Sequence, residues 1–275
     1  MKKISAAIVD TYPNKKFAEI ATRMVCNLPF INIIHTLSYH PILEGEAINF
    51  IEIPQIKNNN QYGSIILNKL DEIIKDEHVL IFQWDGLPLN PNNFRENFLD
   101  YDYIGAPDDH GWVGNGGLSL RSKKLLETLR KLNIDVDLKN PYDQPEDKII
   151  CTHNRKLLEQ QGIKFAPAMV AREFSFESGY INKKAFGFHG VFNFPFFIHE
   201  AEILKYSDDI IARIGQPVSL ITFLNNLKRE NMLNVLQKIL KDFHEKPNVL
   251  NAFYYLQAND PMSPSLQLFK EFGTP

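Results

Sequence analysis

The chain has 275 residues and a formal net charge of −3, with an ordinary globular composition, so it is long enough for one large α/β domain with an appendage or for two small domains. It carries no long block of like charge and no stretch near the roughly 20 apolar residues of a membrane span, which argues against nucleic acid as a partner and limits any membrane association to a peripheral one. Two cysteines, Cys26 and Cys151, form neither a metal-type spacing nor a disulfide framework, and fit a reduced cytoplasmic compartment.

The opening MKKISAAIVD places two lysines before an apolar run that Ser5 interrupts and Asp10 ends, which reads as a first strand over 4–9 and not as a signal peptide. Asp10 and Thr11 then begin a turn-forming loop, and a helix is predicted over 15–27 from Phe17, Ile20, Ala21, Met24 and Val25 at helical spacing. Strands follow over 31–37 and 49–53. Asn58, Asn59 and Asn60 read as a loop, and a helix over 62–75 with Ile65, Ile66, Leu70, Ile73 and Ile74 as its stripe leads to the run Val79-Leu80-Ile81-Phe82. Such a short continuous apolar run suits a strand buried on both faces of a parallel sheet. It stops at Gln83-Trp84-Asp85-Gly86. Strand and helix alternate throughout this half, which predicts a doubly wound, mostly parallel sheet flanked by helices, with Asp10 and Thr11 on the same edge as Asp85. Ligands of such sheets collect beyond the carboxyl ends of the strands, so Asp85 either faces a ligand or metal there or simply caps the turn.

The middle of the chain is less regular. A short helix over 92–99, a strand over 101–106 and a loop carrying Asp108, Asp109, His110 and Trp112 lead to Gly114-Asn115-Gly116-Gly117, whose glycines permit unusual backbone or a close approach just before a strand. The glycines precede the strand and match neither a dinucleotide fingerprint nor a Walker loop, which argues against P-loop phosphate binding. Ser122 suits the N-cap of a helix to 132, with Leu125, Leu126 and Leu129 inward. A helix over 145–161 opens on Glu146 and Asp147, a short strand over 163–166 follows, and residues 171–177 show partial alternation. His189 stands in a Gly-flanked aromatic loop. From 195 the pattern is helical, in segments over 198–206, 208–214, 218–227, 232–243 and 249–256 with a loose tail over 260–275, so the expected domains are 1–194 and a helical region, 195–275.

Taken in order, Gln83-Trp84-Asp85-Gly86, Tyr101-Asp102-Tyr103-Ile104-Gly105-Ala106-Pro107, the stretch from Gly114 to Ser122, Glu146-Asp147, Phe174-Ser175-Phe176-Glu177 and Gly187-Phe188-His189 resemble a bacterial family of unknown function that is itself similar to GT-A fold glycosyltransferases. The resemblance implies a GT-A-like, Rossmann-like domain that binds a nucleotide-sugar donor at the carboxyl edge of the sheet. Asp10, Thr11, Gln83 and Arg121 would lie at the donor, and Asp85 would stand in the position of an acidic metal motif that is usually Asp-x-Asp. Here only its second acid is kept. Asp85 and His189 would hold Mn²⁺ or Mg²⁺. Asp147, or failing it Glu146, would be the general base of an inverting transfer, with Trp112, Asn115, Gly116 and Gly117 on the acceptor side. The implied acceptor is a polysaccharide or lipid-linked saccharide handled at the inner face of the membrane. Two alternatives stand beside this reading: a nucleotidyltransferase, and a binding or assembly protein that keeps the fold without turnover.

Overall fold

In the computed structural model, which describes residues 2–272 except 109 and 242, the chain divides into two compact units, Met1–His189 and Gly190–Pro275. Asp109 and the last three residues of the expected tail lie outside the described residues.

The first unit is mixed α/β. Strand β1 (Ile4–Val9) leads to helix α1 (Lys16–Cys26), then β2 (Ile31–Ser38), β3 (Ile48–Glu52), α2 (Asn59–Asn68), a single turn α3 (Leu70–Ile73) and β4 (His78–Phe82). A two-residue β5 (Leu87–Pro88) and two 3-10 turns, at Pro91–Asn93 and Glu96–Asp100, precede β6 (Tyr103–Gly105) and β7 (Leu118–Ser122). Helices α4 (Lys123–Lys131), α5 (Glu146–Lys148), α6 (Arg155–Gln160) and α7 (Ala168–Phe174) and the short strands β8 (Ser175–Phe176) and β9 (Gly187–Phe188) complete it. The central sheet has the order β3-β2-β1-β4-β7-β6, parallel except for β7, which runs against both neighbours. Every residue of β1 and β4 is buried, as continuous apolar runs in a covered parallel sheet require. Because β1 and β4 pair in parallel, Ser5 with Val79 through Ala7 with Ile81, the segments after Val9 and after Phe82 leave the sheet at one edge. One side of the sheet is filled by Val9, Leu37, Ile66, Leu70, Ile74, Val79, Ile81 and Leu126.

The capping chemistry accounts for several boundaries. Asn58 accepts the amide of Gln61 at 2.9 Å, so α2 starts at Asn59 and the asparagine run expected as loop belongs partly to the helix. Ser122 accepts the amide of Leu125 at 3.0 Å and donates to Asp102 at 2.6 Å, starting α4 where its sequence position predicts and tying that helix to β6's approach. The single helix expected over 145–161 is interrupted by a π turn at Ile149–His153, because both the backbone and the side-chain N–H of Asn154 bond the Ile149 carbonyl at 3.0 Å. Residues 163–166 contribute only a bridge, Tyr103 to Phe165, instead of a strand. The segment expected as alternating over 171–177 is largely helical, since Ala171 and Phe174, three apart, both bury in the core.

The second sheet was not legible from periodicity. Its order is β5-β9-β8, with β5 against β9 and β8 parallel to β9 in the register Ser175 to Gly187 and Phe176 to Phe188. That register sets the next residues, Glu177 and His189, side by side, and the β5 pairing brings the Asp85-Gly86 turn to them.

The second unit is helical: a 3-10 segment at Val191–Phe196, then α8 (Glu200–Arg213), α9 (Pro217–Arg229), α10 (Leu233–Leu240), α11 (Pro247–Asn259) and α12 (Pro264–Phe272). The two helices expected over 198–206 and 208–214 are one, continuing through buried Ser207, whose hydroxyl donates to the Leu204 carbonyl at 3.1 Å. The expected loose tail forms α12, whose Phe269 packs on Phe243 and Phe253 with ring centroids 5.4 and 5.3 Å apart. No helix among the described residues is long and apolar enough to cross a membrane.

Replacing Ser122 with Ala removes the cap of α4 and one partner of buried Asp102, and is expected to lower stability by about 1–2 kcal/mol in a urea titration.

Candidate active site

The polar side chains of the first unit converge where β4, β7 and the small sheet meet. Gln83 continues the β4 ladder by donating its amide to the Gly117 carbonyl at 2.8 Å, and the Gly86 amide closes a turn on the Gln83 carbonyl at 3.0 Å. Buried Asp85 sits inside that turn. Asp10 and Thr11 are also buried at the carboxyl end of β1; Asp10 accepts the Tyr12 amide at 2.9 Å, and the Thr11 hydroxyl accepts the Ile56 amide at 2.9 Å. Trp84 packs edge-to-face with Phe17 of α1, their ring centroids 5.5 Å apart.

His189 is the hub. Its Nδ1 lies 2.9 Å from Glu177 Oε1 and 3.1 Å from the Asn115 amide nitrogen, while its Nε2 lies 3.1 Å from Gln83 Oε1 and 3.4 Å from Asp85 Oδ1. Each ring nitrogen faces a carboxylate oxygen, Nδ1 that of Glu177 and Nε2 that of Asp85, and both can donate only if each carries a proton and the ring with them a positive charge. Burial pushes the imidazole pKa down, but Asp85 and then Glu177 more than offset this and raise it well above the ordinary value, so the ring itself supplies that charge as an imidazolium. The same Nε2-facing set of imidazole, carboxylate and amide oxygen is also chemically suited to a divalent cation, with Glu177 orienting the ring from behind. Among the described residues no group of three or more His, Cys, Asp and Glu side chains is gathered for a metal, so the protein would supply Asp85, His189 and the Gln83 amide and leave the other positions to a ligand.

A second cluster lies across the glycine turn. Arg121, projecting from β7, is fully buried and pairs with Glu146 Oε1 at 2.7 Å, with its Nε on the Ser119 hydroxyl at 3.2 Å and its guanidinium 5.1 Å above the Tyr103 ring. Expected at a donor phosphate, Arg121 instead spends its charge inside the domain. Glu146, read as a second candidate base, is held by that guanidinium. Asp147 is the carboxylate left over. It accepts the Gly116 amide at 3.2 Å and the Lys148 amide at 2.7 Å, yet burial and then the Glu146 charge raise its pKa to about 6, above what those amides and Arg121 take back.

The structure therefore brings Gln83, Asp85, His189 and Asn115 into direct contact, and sets Gly116 against Asp147. Trp112 is not poised as a sugar platform, because its indole nitrogen donates to the Cys151 carbonyl at 3.3 Å and its ring packs on the apolar cluster around Leu125, Ile149 and Ile150. Cys151 itself is a buried thiol pushed far above its usual pKa, chiefly by burial, and so is inert. Two residues were missed. Glu177 stands in a stretch that only the family resemblance marks, and its twelve-residue separation from His189 carries no signal until the parallel register of β8 and β9 is known. Tyr62, the first residue of the helix expected over 62–75, has a buried hydroxyl whose pKa is raised first by burial and then by the Glu146 charge.

Residues 47–189 match the family described as protein of unknown function, DUF5672. The chain belongs to that family. No curated protein matches it in sequence. Among solved structures it is similar to the glycosyltransferase GlyE of Streptococcus pneumoniae TIGR4, at 14% identity and TM-score 0.40 over 58% of this chain and 44% of GlyE, so the chain spans less than half of GlyE's length. It is also similar to the mannosyltransferase PcManGT of Pyrobaculum calidifontis, solved with GDP-Man and Mn²⁺, at 12% identity and TM-score 0.44 over 98% of this chain and 79% of that one. A third likeness is to the galactosyltransferase LgtC, solved with donor and acceptor sugar analogues, at 14% identity and TM-score 0.39 over 68% and 86% of the two chains.

Two stability effects follow from the second cluster. Glu146→Ala leaves a buried guanidinium without its counter-charge and is expected to cost about 3–5 kcal/mol in chemical denaturation, most of which the double variant R121M/E146L recovers. Asp147 titrates near 3.9 in an unfolded chain and at about 6 in the fold, so its ionisation costs stability as pH rises between those values. Asp147→Asn is accordingly expected to raise stability by about 1–3 kcal/mol above pH 7 and to change it little at pH 4.

Proposed function

We propose that this DUF5672 protein is a nucleotide-sugar-dependent glycosyltransferase with a GT-A-like first unit, acting on a saccharide or lipid-linked saccharide acceptor with inversion at the anomeric carbon. The observation that carries the reading is the juxtaposition, across the Gly116-Gly117 turn, of the hub at His189 with one carboxylate, Asp147, whose pKa is raised to about 6. Such a pair supplies what glycosyl transfer from a diphosphate needs: a place where charge on the departing diphosphate is offset, and a base tuned near working pH.

In this scheme Asp10 and Thr11 border the nucleotide at the end of β1, and Gln83, Asp85 and His189 face the diphosphate. A divalent cation, Mn²⁺ or Mg²⁺, would have to displace the Nε2 proton of His189 to be held there together with Asp85 and the Gln83 amide oxygen, and would then offset negative charge on the diphosphate in place of the imidazolium. Asp147 takes the proton of the acceptor hydroxyl as that oxygen bonds the anomeric carbon and the bond to the diphosphate breaks. Arg121 holds Glu146, and Glu146 in turn keeps Asp147 basic, so both act as positioning residues. With Glu146 committed to Arg121, one carboxylate remains beside the turn, which suits a single displacement better than a covalent two-step route. Asn115 lies beside the His189 ring and braces the turn, its amide oxygen accepting the Gly117 amide at 3.2 Å.

Asp147→Asn is expected to lower transfer from a nucleotide sugar by about 10²–10⁴-fold while leaving the nucleotide-diphosphate shift in melting temperature intact. In the unaltered protein kcat/KM should rise with pH through about 6 and level off above it, because the base works only when ionised. Retained turnover in the Asn variant would remove Asp147 from this role.

A further inference from the structure

A cavity of about 170 Å³ opens in the first unit, lined by Asp108, Arg172, Phe176, Ser178, Tyr180 and Asn182. No role in catalysis or donor binding touches it. The lining is joined to the centre described above along the chain on two sides: Asp108 belongs to the segment that leads to Asn115, and Phe176, the last residue of β8, immediately precedes Glu177. Both walls are fixed. Asp108 Oδ1 accepts the amides of His110 and Trp112 at 2.9 and 2.8 Å, and Asn182 clasps the other wall by donating to the Arg172 carbonyl at 2.8 Å and accepting the Lys184 amide at 3.1 Å.

What these residues leave available has a definite chemistry. The Arg172 guanidinium has no hydrogen-bond or ion-pair partner among the described residues, and Tyr180 is 81% exposed although it is a large aromatic side chain at a cavity mouth. Arg172 offers planar donors, the second oxygen of Asp108 an acceptor, Ser178 both, and Tyr180 an aromatic face. A pyranose presents the complement, with hydroxyls that donate and accept around its rim and C–H groups across its face. The volume, below the roughly 300 Å³ at which pockets begin to take drug-sized molecules, suits one ring and excludes a nucleotide. A free phosphate would meet Arg172 but would be repelled by Asp108 and would leave Tyr180 unused.

We propose that the cavity between Arg172 and Tyr180 is a subsite for a single pyranose ring, the terminal ring of the acceptor, with Tyr180 as the stacking platform that Trp112 does not provide. Calling that ring the acceptor rests on the glycosyltransferase reading; the binding itself does not.

The test is saturation-transfer NMR on the full chain with the methyl pyranosides of glucose, galactose and mannose, alongside the melting shift given by nucleoside diphosphates. Transfer to the ring protons of at least one pyranoside is expected, with affinity weakened about tenfold in Tyr180→Ala and in Arg172→Ala and largely kept in Tyr180→Phe. Absence of transfer from all the pyranosides, transfer unchanged in Tyr180→Ala, or displacement of the sugar by inorganic phosphate would overturn the subsite. The two readings separate cleanly. A nucleotide shift without pyranoside binding removes the subsite and leaves the transferase, whereas pyranoside binding at Tyr180 without any nucleotide shift leaves the subsite and removes the transferase.

Discussion

Gly117 has no side chain, and the assembly of the centre depends on that. A Cβ there would run into the His189 ring, and one at Gly116 would strike Glu146 and press to 3.3 Å from the Asp147 Cβ. Any side chain at these two positions must therefore push apart either the His189 hub or the helix start that carries the two acids. The turn is itself pinned, because β7 runs antiparallel to β4 and the Gly117 carbonyl takes the Gln83 amide. The sheet fixes the turn, and the turn fixes both clusters.

Charge is distributed around that turn in a consistent way. His189 stands between Asp85 and Glu177, and Arg121 stands against Glu146, so three of the four acids have a cation at hydrogen-bond or ion-pair distance. Among the described residues Asp147 has no such partner at close range, only backbone amides, and burial and the neighbouring acid raise its pKa. Of two adjacent acids on one helix start, a single arginine thus draws one into an ion pair and leaves the other on backbone amides. Pairs of carboxylates divided by environment in this way are the usual means of assigning acid and base roles.

Much of the first unit was legible because periodicity is a local property. The buried runs of β1 and β4, the inward leucines of α4 and the Ser122 cap all follow from residues within a few positions of one another. The mostly parallel sheet, with both loops on one edge, followed from alternation. What could not be read depended on distant partners. The segment over 171–177 looked half alternating until Ala171 and Phe174 found the core as a helix, and the tail over 260–275 looked loose until Phe269 found Phe243 and Phe253. In the site, the glycine loop was correctly singled out as a place of close approach, yet the groups that approach are the protein's own His189, Glu146 and Asp147. Arg121 and Trp112 looked available because a sequence shows chemistry without burial; Glu177 looked idle because its partner is brought to it by a two-residue parallel pairing.

The central claim is that the residues around His189 receive a nucleoside diphosphate. Calorimetric titration of the purified chain with UDP, GDP and CDP, each with and without Mn²⁺, addresses it most directly, with Asp85→Ala titrated in parallel. The account predicts saturable binding of at least one of them to the unaltered chain and at least about tenfold weaker binding to the variant, a loss of about 1.4 kcal/mol or more. Absence of binding by all three, or equal binding by both proteins, would contradict it.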